Sequence, residues 1–188
     1  LTTFLSFAGR YCVLMPNSMN NDGISRKIGD IEETGKTLLE NSLLKARTVF
    51  NITGIPTIAD DTGLEVDFLD GAPGVYSARY AGEKVSYQDN VNKLLLELDG
   101  VPYNKRTAKF RTVISYIDIK QELWTEGHID GIISDNIIGD KGFGYDPVFF
   151  VPHIGKTFAE LSSAQKNKIS HRGIALQKLR KILINVLK

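Results

Sequence analysis

The chain has a single cysteine, no long hydrophobic run and almost no net charge, and each of these absences excludes a class of protein. Cys12 is the one cysteine among 188 residues, so an internal disulfide is impossible and a reducing compartment is favoured. No apolar run approaches the ~18 residues of a transmembrane helix, and no signal-peptide pattern opens the chain. The formal net charge of +1 gives no overall field directed at nucleic acid or an acidic membrane. We therefore expect a soluble, cytoplasmic protein that binds neither nucleic acid nor a membrane.

The composition is that of an ordinary globular protein. Hydrophobic residues make up 42% and charged residues 24% of the chain, and its length allows one sizeable domain, with two lobes around a cleft. Cys12 lies among apolar neighbours and is expected to fill a core. Residues 1–15 are typical of the end of a helix followed by a strand, whereas residues 16–30 are loop-like.

Apolar periodicity predicts three helices and a long hairpin. The first helix begins near Thr37, since Thr37 and Glu40 match a capping box, and the second runs from about Ser86 to Leu98. The apolar stripe of the first helix comprises Leu39, Leu43, Ala46 and Phe50. The last helix is capped by Ser170, and its expected buried stripe comprises Ala175, Leu179, Ile182, Leu183 and Val186. Alternation predicts antiparallel strands at 107–119 and 122–134, with a tight turn near Lys120.

Two adjacent carboxylates, Asp60 and Asp61, follow the short apolar run 57–59. Such a run predicts a buried strand, and Thr62 with Gly63 predicts a turn directly after it. Neighbouring strand residues face opposite sides, so one carboxylate can face a cleft while the other holds the turn. Two buried like charges need a compensating cation, and Mg²⁺ binds one or two carboxylates together with substrate phosphates. The alternative interpretation is an Asx-type turn at the end of a strand.

Two more charged residues flank the first helix. Glu33 precedes its N-terminus, where the helix dipole favours negative charge, and this local role is one interpretation of it. Lys45 lies four residues after Asn41 on a second face of the helix. For Lys45 the alternative to a role in a site is a solvated position on the helix surface.

A glycine-rich turn, Gly142-Phe-Gly-Tyr-Asp-Pro147, precedes a predicted strand at 148–151. Glycines on both sides of Phe143 expose the ring and allow a ligand to approach the backbone. An exposed ring in such a turn can stack on a nucleobase. The alternative is an Asp-Pro turn before a buried strand, since proline restricts the conformation of Asp146.

Positive side chains cluster at the start of the last helix, where Lys166 precedes it and His171 and Arg172 fall in its first turn. Cations there oppose the helix dipole by roughly 0.3–1 kcal/mol, so local helix energetics does not explain them, whereas an anionic or acceptor-rich ligand does. Together with the carboxylates and Phe143, these cations form the set of groups needed for a Mg²⁺-dependent reaction on a nucleoside phosphate.

Three stretches resemble the inosine triphosphate pyrophosphatase family: 59–66 with 71–80, then 142–147, then 169–172. They occur in the family's order at comparable spacing, and the resemblance covers roughly residues 30–185. It implies Mg²⁺-dependent hydrolysis of ITP, dITP and XTP to the monophosphate and pyrophosphate, by a homodimer acting on a small nucleotide. It also implies an α/β fold with a mixed sheet and two lobes flanking a central substrate cleft, with residues 1–188 as a single domain.

The resemblance also implies roles for individual residues. Glu33 and Asp61 would hold Mg²⁺ with the support of Asp60, and Asp61 would also be the proton acceptor that activates the attacking water. Lys45 matches a helix lysine of the family that faces the phosphates. The other implied substrate contacts are Thr62, Phe143, Gly144, Tyr145, Asp146, Lys166, His171 and Arg172. His171 and Arg172 would lie at the base edge, where donors paired with a 6-keto group favour hypoxanthine and xanthine over adenine.

One family feature has no match: the N-terminal strand and the Thr-Gly-Asn-x-x-Lys or Thr-Asn-Asn-x-x-Lys loop that holds the triphosphate. Asn17-Ser18 and Asn20-Asn21 stand in the wrong context, after the apolar segment. We expect the given sequence to begin after this strand and loop, since Leu1 to Phe7 resembles the helix that follows the loop. The other interpretation is a protein that lacks part of its phosphate site. The alternative functions are a non-catalytic nucleotide-binding protein on the same scaffold, or a pyrophosphatase for another unusual nucleotide such as a modified pyrimidine.

Overall fold

The computed structural model describes the backbone of residues 11–13 and the whole of residues 29–186. The predicted helix end before Tyr11, the core role of the Cys12 side chain, the loop over most of 16–30 and the expected absence of a phosphate loop lie outside the described residues. The predicted strand of this region is present as β1, Tyr11–Val13.

An α/β fold is confirmed, built on one sheet of seven strands in the described part of the chain. The remaining strands are β2 Thr57–Val66, β3 Pro73–Gly74, β4 Thr107–Ile117, β5 Glu122–Ile133, β6 Phe149–Val151 and β7 Lys156–Thr157. The helices are α1 Leu38–Thr53, α2 Tyr87–Glu97, α3 Ser163–Ile169 and α4 His171–Val186. The strand order is β1-β2-β4-β5-β6-β7, and β3 pairs with β2. Four pairings have a described register, β1/β2, β2/β3, β5/β6 and β6/β7, and all four are antiparallel.

The chain forms two compact units, in agreement with the prediction of two lobes. The first unit comprises residues up to 61, 112–126 and those from 175 onward, and the second comprises 62–111 and 127–174. Strands β2, β4 and β5 and helix α4 each contribute residues to both units. No helix within the described residues is both long and apolar enough to cross a bilayer.

The core of the first unit lies between α4 and the strands. Its main cluster comprises Ile58, Ile114, Tyr116, Ala175, Leu179 and Leu183. The predicted stripe of α4 is therefore confirmed at Ala175, Leu179 and Leu183, which recur at a spacing of four. Ile182 is only half-buried. The prediction for Val186 is wrong, because this residue falls in the last turn outside that spacing and is 42% exposed.

The buried face of α1 differs from its predicted apolar stripe. Leu43 and Phe50 are only partly buried and Leu39 is half-buried, so Ala46 alone of the stripe is fully buried. The buried residues of α1 are Leu38, Asn41, Ser42, Lys45, Ala46 and Val49. Half of this face is polar, which a count of apolar residues cannot find.

Strand β2 runs without interruption through the two carboxylates, so the turn predicted at Thr62 and Gly63 is wrong. Burial alternates from Ala59 to Gly63 and, with a change of phase at the adjacent buried pair Gly63 and Leu64, again to Val66. The end of the strand pairs with β3 at Leu64 and Glu65. The chain reverses later, where Asp70 and Gly71 have φ values of 50° and 87°. Both carboxylates therefore lie within a strand.

The second unit has its own apolar core under α2 and the strands. The cluster comprises Leu64, Val66, Val91, Leu94, Leu98, Ala108, Phe110, Ile129, Ile133, Tyr145, Val148, Phe149, Val151, Phe158 and Leu161. Helix α2 has the predicted bounds, with Ser86 as its N-cap, and β4 and β5 end within two residues of the predictions. Residues 163–169 form the separate helix α3, which was not predicted. Ser170 does cap α4, since the Gly173 N–H donates to its Oγ at 3.1 Å.

A capping-box test follows from the start of α1. Thr37 Oγ1 accepts from the Glu40 N–H at 3.1 Å, and Glu40 Oε2 accepts from the Thr37 N–H at 3.2 Å. Thr37→Ala removes this cap, so we expect a loss of about 1 kcal/mol of unfolding free energy in urea denaturation. Thr37→Ser keeps the hydroxyl and should retain most of the stability. Equal stability of the two variants would contradict the cap.

Candidate active site

Helix α1 carries three polar side chains that are almost completely buried. Asn41 and Ser42 are 0% exposed and Lys45 is 2% exposed. Asn41 and Lys45 are four residues apart and therefore share a face of the helix. The interpretation of Lys45 as a solvated surface residue is wrong.

Lys45 is shared between two carboxylates of the same unit. Its Nζ lies 2.9 Å from Glu33 Oε1 and 2.7 Å from Asp61 Oδ1. The side chains of Glu33 and Asp61 are 7% and 9% exposed. One buried cation therefore offsets two carboxylates, and we call Glu33, Lys45 and Asp61 the carboxylate cluster.

Burial raises the pKa of Asp61 to about 6. The Lys45 ammonium and the Asn41 amide oppose this effect, and the nearby Glu33 adds to it. A carboxyl with such a pKa is ionised at neutral pH yet remains basic enough to accept a proton, which is the property of a general base. Asp61 therefore has the electrostatic environment expected of the predicted proton acceptor.

Asp60 occupies the other side of β2. Successive strand residues point to opposite faces, and Asp60 is half-buried where Asp61 is buried. Among residues 29–186, no group of three or more His, Cys, Asp or Glu side chains is arranged to hold a metal ion. The carboxylate cluster therefore offers two carboxylates, those of Glu33 and Asp61, to a metal ion. That Asp60 supports such a metal site stays a prediction. Thr62, the next residue on this side after Asp60, is also half-buried.

The second unit contains the glycine-rich turn, and its aromatic ring is exposed as predicted. Phe143 is 54% exposed, and its N–H donates to Asp146 Oδ2 at 2.8 Å. Asp146 is 2% exposed and also accepts from Lys166 Nζ at 2.5 Å. An ideal Cβ on Gly142 would lie 2.0 Å from Asp146 Oδ2, so only glycine allows this approach.

Cations of the same unit lie over the exposed ring. Lys166 Nζ is 4.7 Å and the Arg172 guanidinium carbon 5.9 Å from the centroid of the Phe143 ring. Tyr145 instead points inward, is 4% exposed and donates its hydroxyl to the Ser77 carbonyl at 2.9 Å. Gly144 between the two rings has a φ of 61°. The turn therefore presents Phe143 outward and anchors itself through Tyr145 and Asp146.

His171 is neutral, so its interpretation as a cation is wrong. Burial, followed by the neighbouring Arg172 and Lys166, lowers the pKa of His171 to about 3. The ring is 6% exposed and stacks on Phe110 with centroids 4.7 Å apart. Its Nδ1 has no hydrogen-bond partner among the described residues. A buried ring nitrogen without a hydrogen-bond partner is unusual in a folded protein.

Sequence reasoning missed the part played by Asn41 and Ser77. The spacing of four residues between Asn41 and Lys45 is the one signal in the sequence that indicates Asn41. Ser77 accepts from the Leu64 N–H at 2.9 Å and receives the Tyr145 hydroxyl at its carbonyl. No local pattern indicates a residue whose partners are so far apart in the sequence.

Comparison with known proteins gives consistent matches over most of the chain. A family model described as the Ham1 family matches residues 13–182. A protein of Caldanaerobacter subterraneus named dITP/XTP pyrophosphatase is 54% identical over 169 residues, which cover 89% of this chain and 82% of that protein. The Ham1 protein of Staphylococcus aureus has a similar structure, with a TM-score of 0.81 and 43% identity over 85% of this chain and 83% of that one. A HAM1 protein from Coxiella burnetii gives a TM-score of 0.80 and 41% identity over 85% of this chain and 82% of that one. The predicted resemblance is confirmed.

The pKa of Asp61 predicts how stability depends on pH in metal-free buffer. The folded state binds the Asp61 proton more tightly than the unfolded chain, so this residue favours folding most below pH 4, and the contribution is lost as the pH rises through 6. A rise in pKa from 3.8 to about 6 corresponds to about 3 kcal/mol. Urea unfolding should show wild type losing about that much relative to Asp61→Asn between pH 4 and pH 7. Parallel pH profiles for the two proteins would contradict the raised pKa.

Proposed function

The chain belongs to the Ham1 family, and on this premise we propose that it hydrolyses dITP, XTP and ITP to the nucleoside monophosphate and pyrophosphate. The names of its relatives support the substrate class. The observation that carries the proposal is the burial of Lys45 between Glu33 and Asp61, within 2.9 Å of both. Burying three charged groups costs desolvation free energy, and a function of the carboxylates is the reason we infer for keeping them there.

In the proposed reaction, Asp61 accepts the proton of the water that attacks phosphorus at the anhydride bond between the α- and β-phosphates. This bond breaks, and the monophosphate and pyrophosphate are released. In the metal-free protein the pKa of Asp61 is about 6, so the carboxylate is ionised near neutral pH and able to accept a proton. Lys45 binds Asp61 Oδ1 at 2.7 Å and so fixes the orientation of the carboxylate. The other carboxylate oxygen, Asp61 Oδ2, accepts a hydrogen bond from Asn41 Nδ2.

The donor set of the carboxylate cluster fits Mg²⁺. The two buried carboxylates, Glu33 and Asp61, share the single positive charge of Lys45, so the cluster keeps a net negative charge. Mg²⁺ typically takes its other ligands from water and substrate phosphates. Glu33 and Asp61 would hold the ion, with Asp60 in support. When bound, the ion offsets phosphate charge and acts as a Lewis acid on a phosphoryl oxygen.

The groups of the second unit suit the purine base. Phe143 offers an exposed ring for stacking, and Lys166 and Arg172 bring donors to the ring. His171 is neutral, so it can accept through one nitrogen and donate through the other. A 6-keto purine would satisfy donors here, whereas a 6-amino group would leave them unpaired.

Homodimer formation and a cytoplasmic location stay predictions, to be checked by sedimentation and by localisation of the tagged protein.

The assay for this proposal measures pyrophosphate and orthophosphate released from ITP, XTP, dITP and ATP, with and without Mg²⁺. We expect Mg²⁺-dependent release of pyrophosphate from the 6-keto nucleotides, and a loss of about 10²–10⁴-fold in kcat for Asp61→Asn. Asp130→Asn, in the exposed outer row of β5, is the matched control and should retain activity. Release of orthophosphate, or wild-type kcat in Asp61→Asn, would refute the assignment. Binding of ITP without any release would favour the non-catalytic alternative.

Base stacking can be tested separately from the chemistry. Phe143→Ala removes the exposed ring, and loss of one base–aromatic stack typically costs about 1–3 kcal/mol. We therefore expect KM for ITP to rise roughly 5- to 150-fold, with a smaller change in kcat. Tyr103→Ala removes another exposed ring of the same unit and should leave KM unchanged. An unchanged KM in Phe143→Ala would show that the ring does not bind the base.

A further inference from the structure

Asn41 does not take part in the proposed proton transfer, yet it is 0% exposed and belongs to the buried polar face of α1. We propose that Asn41 is a positioning residue that holds the Asp61 carboxylate and the segment carrying Glu33 in one fixed arrangement. This inference rests on the proposed function of Asp61 as the proton acceptor.

The side-chain amide of Asn41 connects these two parts of the first unit. Its Oδ1 accepts from the Gly35 N–H at 2.7 Å, and its Nδ2 donates to Asp61 Oδ2 at 3.4 Å. Lys45, one helical turn later, donates to the other oxygen, Asp61 Oδ1, at 2.7 Å. Each oxygen of Asp61 therefore has its own donor from α1, which fixes the plane of the carboxylate and not only its distance.

The segment carrying Glu33 approaches Asn41 more closely than a side chain would permit. A Cβ on Gly35 would lie 2.6 Å from Asn41 Oδ1 and 2.7 Å from Glu40 Cβ. Gly35 is two residues after Glu33, so its bond to Asn41 holds the backbone of this segment while Lys45 holds the Glu33 carboxylate. Both carboxylates of the cluster are thus fixed from the same face of one helix.

Only an amide satisfies both neighbours of this position. The Gly35 N–H needs an acceptor and the ionised Asp61 needs a donor, so the two ends of the side chain must have opposite polarity. Aspartate of the same shape would place a second acceptor against Asp61, and alanine would leave both groups without their partner. The adjacent Ser42 is equally buried, but its hydroxyl binds the Ala59 carbonyl at 2.9 Å and Ser115 Oγ at 2.8 Å.

Ser42 therefore supplies a matched control for a kinetic test. We expect Asn41→Ala and Asn41→Asp to lower kcat for pyrophosphate release from ITP by about 100-fold, as misplacement of reacting groups by about 1 Å does, with KM changed less than about threefold. Gly35→Ala should have the same signature. Ser42→Ala should lose stability but keep kcat within about threefold. Wild-type kcat in Asn41→Ala, or an equal loss in Ser42→Ala, would overturn the inference.

A second measurement does not depend on enzymatic activity, so it tests the role of Asn41 independently of the proposed function. Urea unfolding of Asn41→Ala, Asp61→Ala and the double variant gives the coupling between the two side chains. We expect a coupling of at least about twofold in the unfolding equilibrium constant, and a coupling near one for Ser42 with Asp61. Absence of coupling overturns the inference whether or not the protein is an enzyme. Coupling in a wild type that releases no pyrophosphate would refute the proposed function and support the contact assigned to Asn41.

Discussion

The first unit depends on the ammonium group of Lys45, which is buried between Glu33 and Asp61. Removing one partner of a buried ion pair typically costs about 3–5 kcal/mol, because it leaves an uncompensated charge. Here the one cation serves two carboxylates, so the residual negative charge must be offset by a proton, a metal ion or a ligand. Burial of the carboxyl is the main cause of the raised pKa of Asp61; Lys45 opposes the effect only in part, and Glu33 adds to it.

The second unit has the opposite balance of charge around its exposed ring, where Lys166 and Arg172 lie near Phe143 and Asp146 is the carboxylate paired with Lys166. Asp146 accepts from both Lys166 and the Phe143 backbone, and so fixes one cation beside the exposed ring. Burial first, and then the charges of Arg172 and Lys166, keep His171 neutral. A site with donors, a neutral imidazole and an exposed ring suits an acceptor-rich aromatic ligand, as the carboxylate cluster suits a metal and phosphates.

Sequence patterns correctly predicted the elements that depend on interactions between residues close together in the chain. The capping box at Thr37, helix α2 and the hairpin of β4 and β5 follow from caps and periodicity within a few residues, and the exposure of Phe143 follows from the glycines beside it. The failures have tertiary causes. The polar face of α1 is buried because Lys45 finds partners at Glu33 and Asp61, and β2 continues past Gly63 because β3 pairs with its end.

The same distinction applies to the candidate site. The identity of Asp61 and Lys45 was accessible through motifs, but the neutrality of His171 and the two bonds of Asn41 depend on burial and on residues distant in the sequence. The local sequence alone predicts a cation at His171, since no neighbouring residue indicates that its ring stacks on Phe110.

The most direct test of this account is the initial rate of pyrophosphate release from ITP by Lys45→Met, with Lys105→Met as an exposed control and circular dichroism to establish folding. The account predicts that a folded Lys45→Met protein loses about 100-fold or more in kcat, while Lys105→Met behaves as wild type. A folded Lys45→Met protein with the wild-type rate would contradict the claim that the carboxylate cluster is the reaction centre.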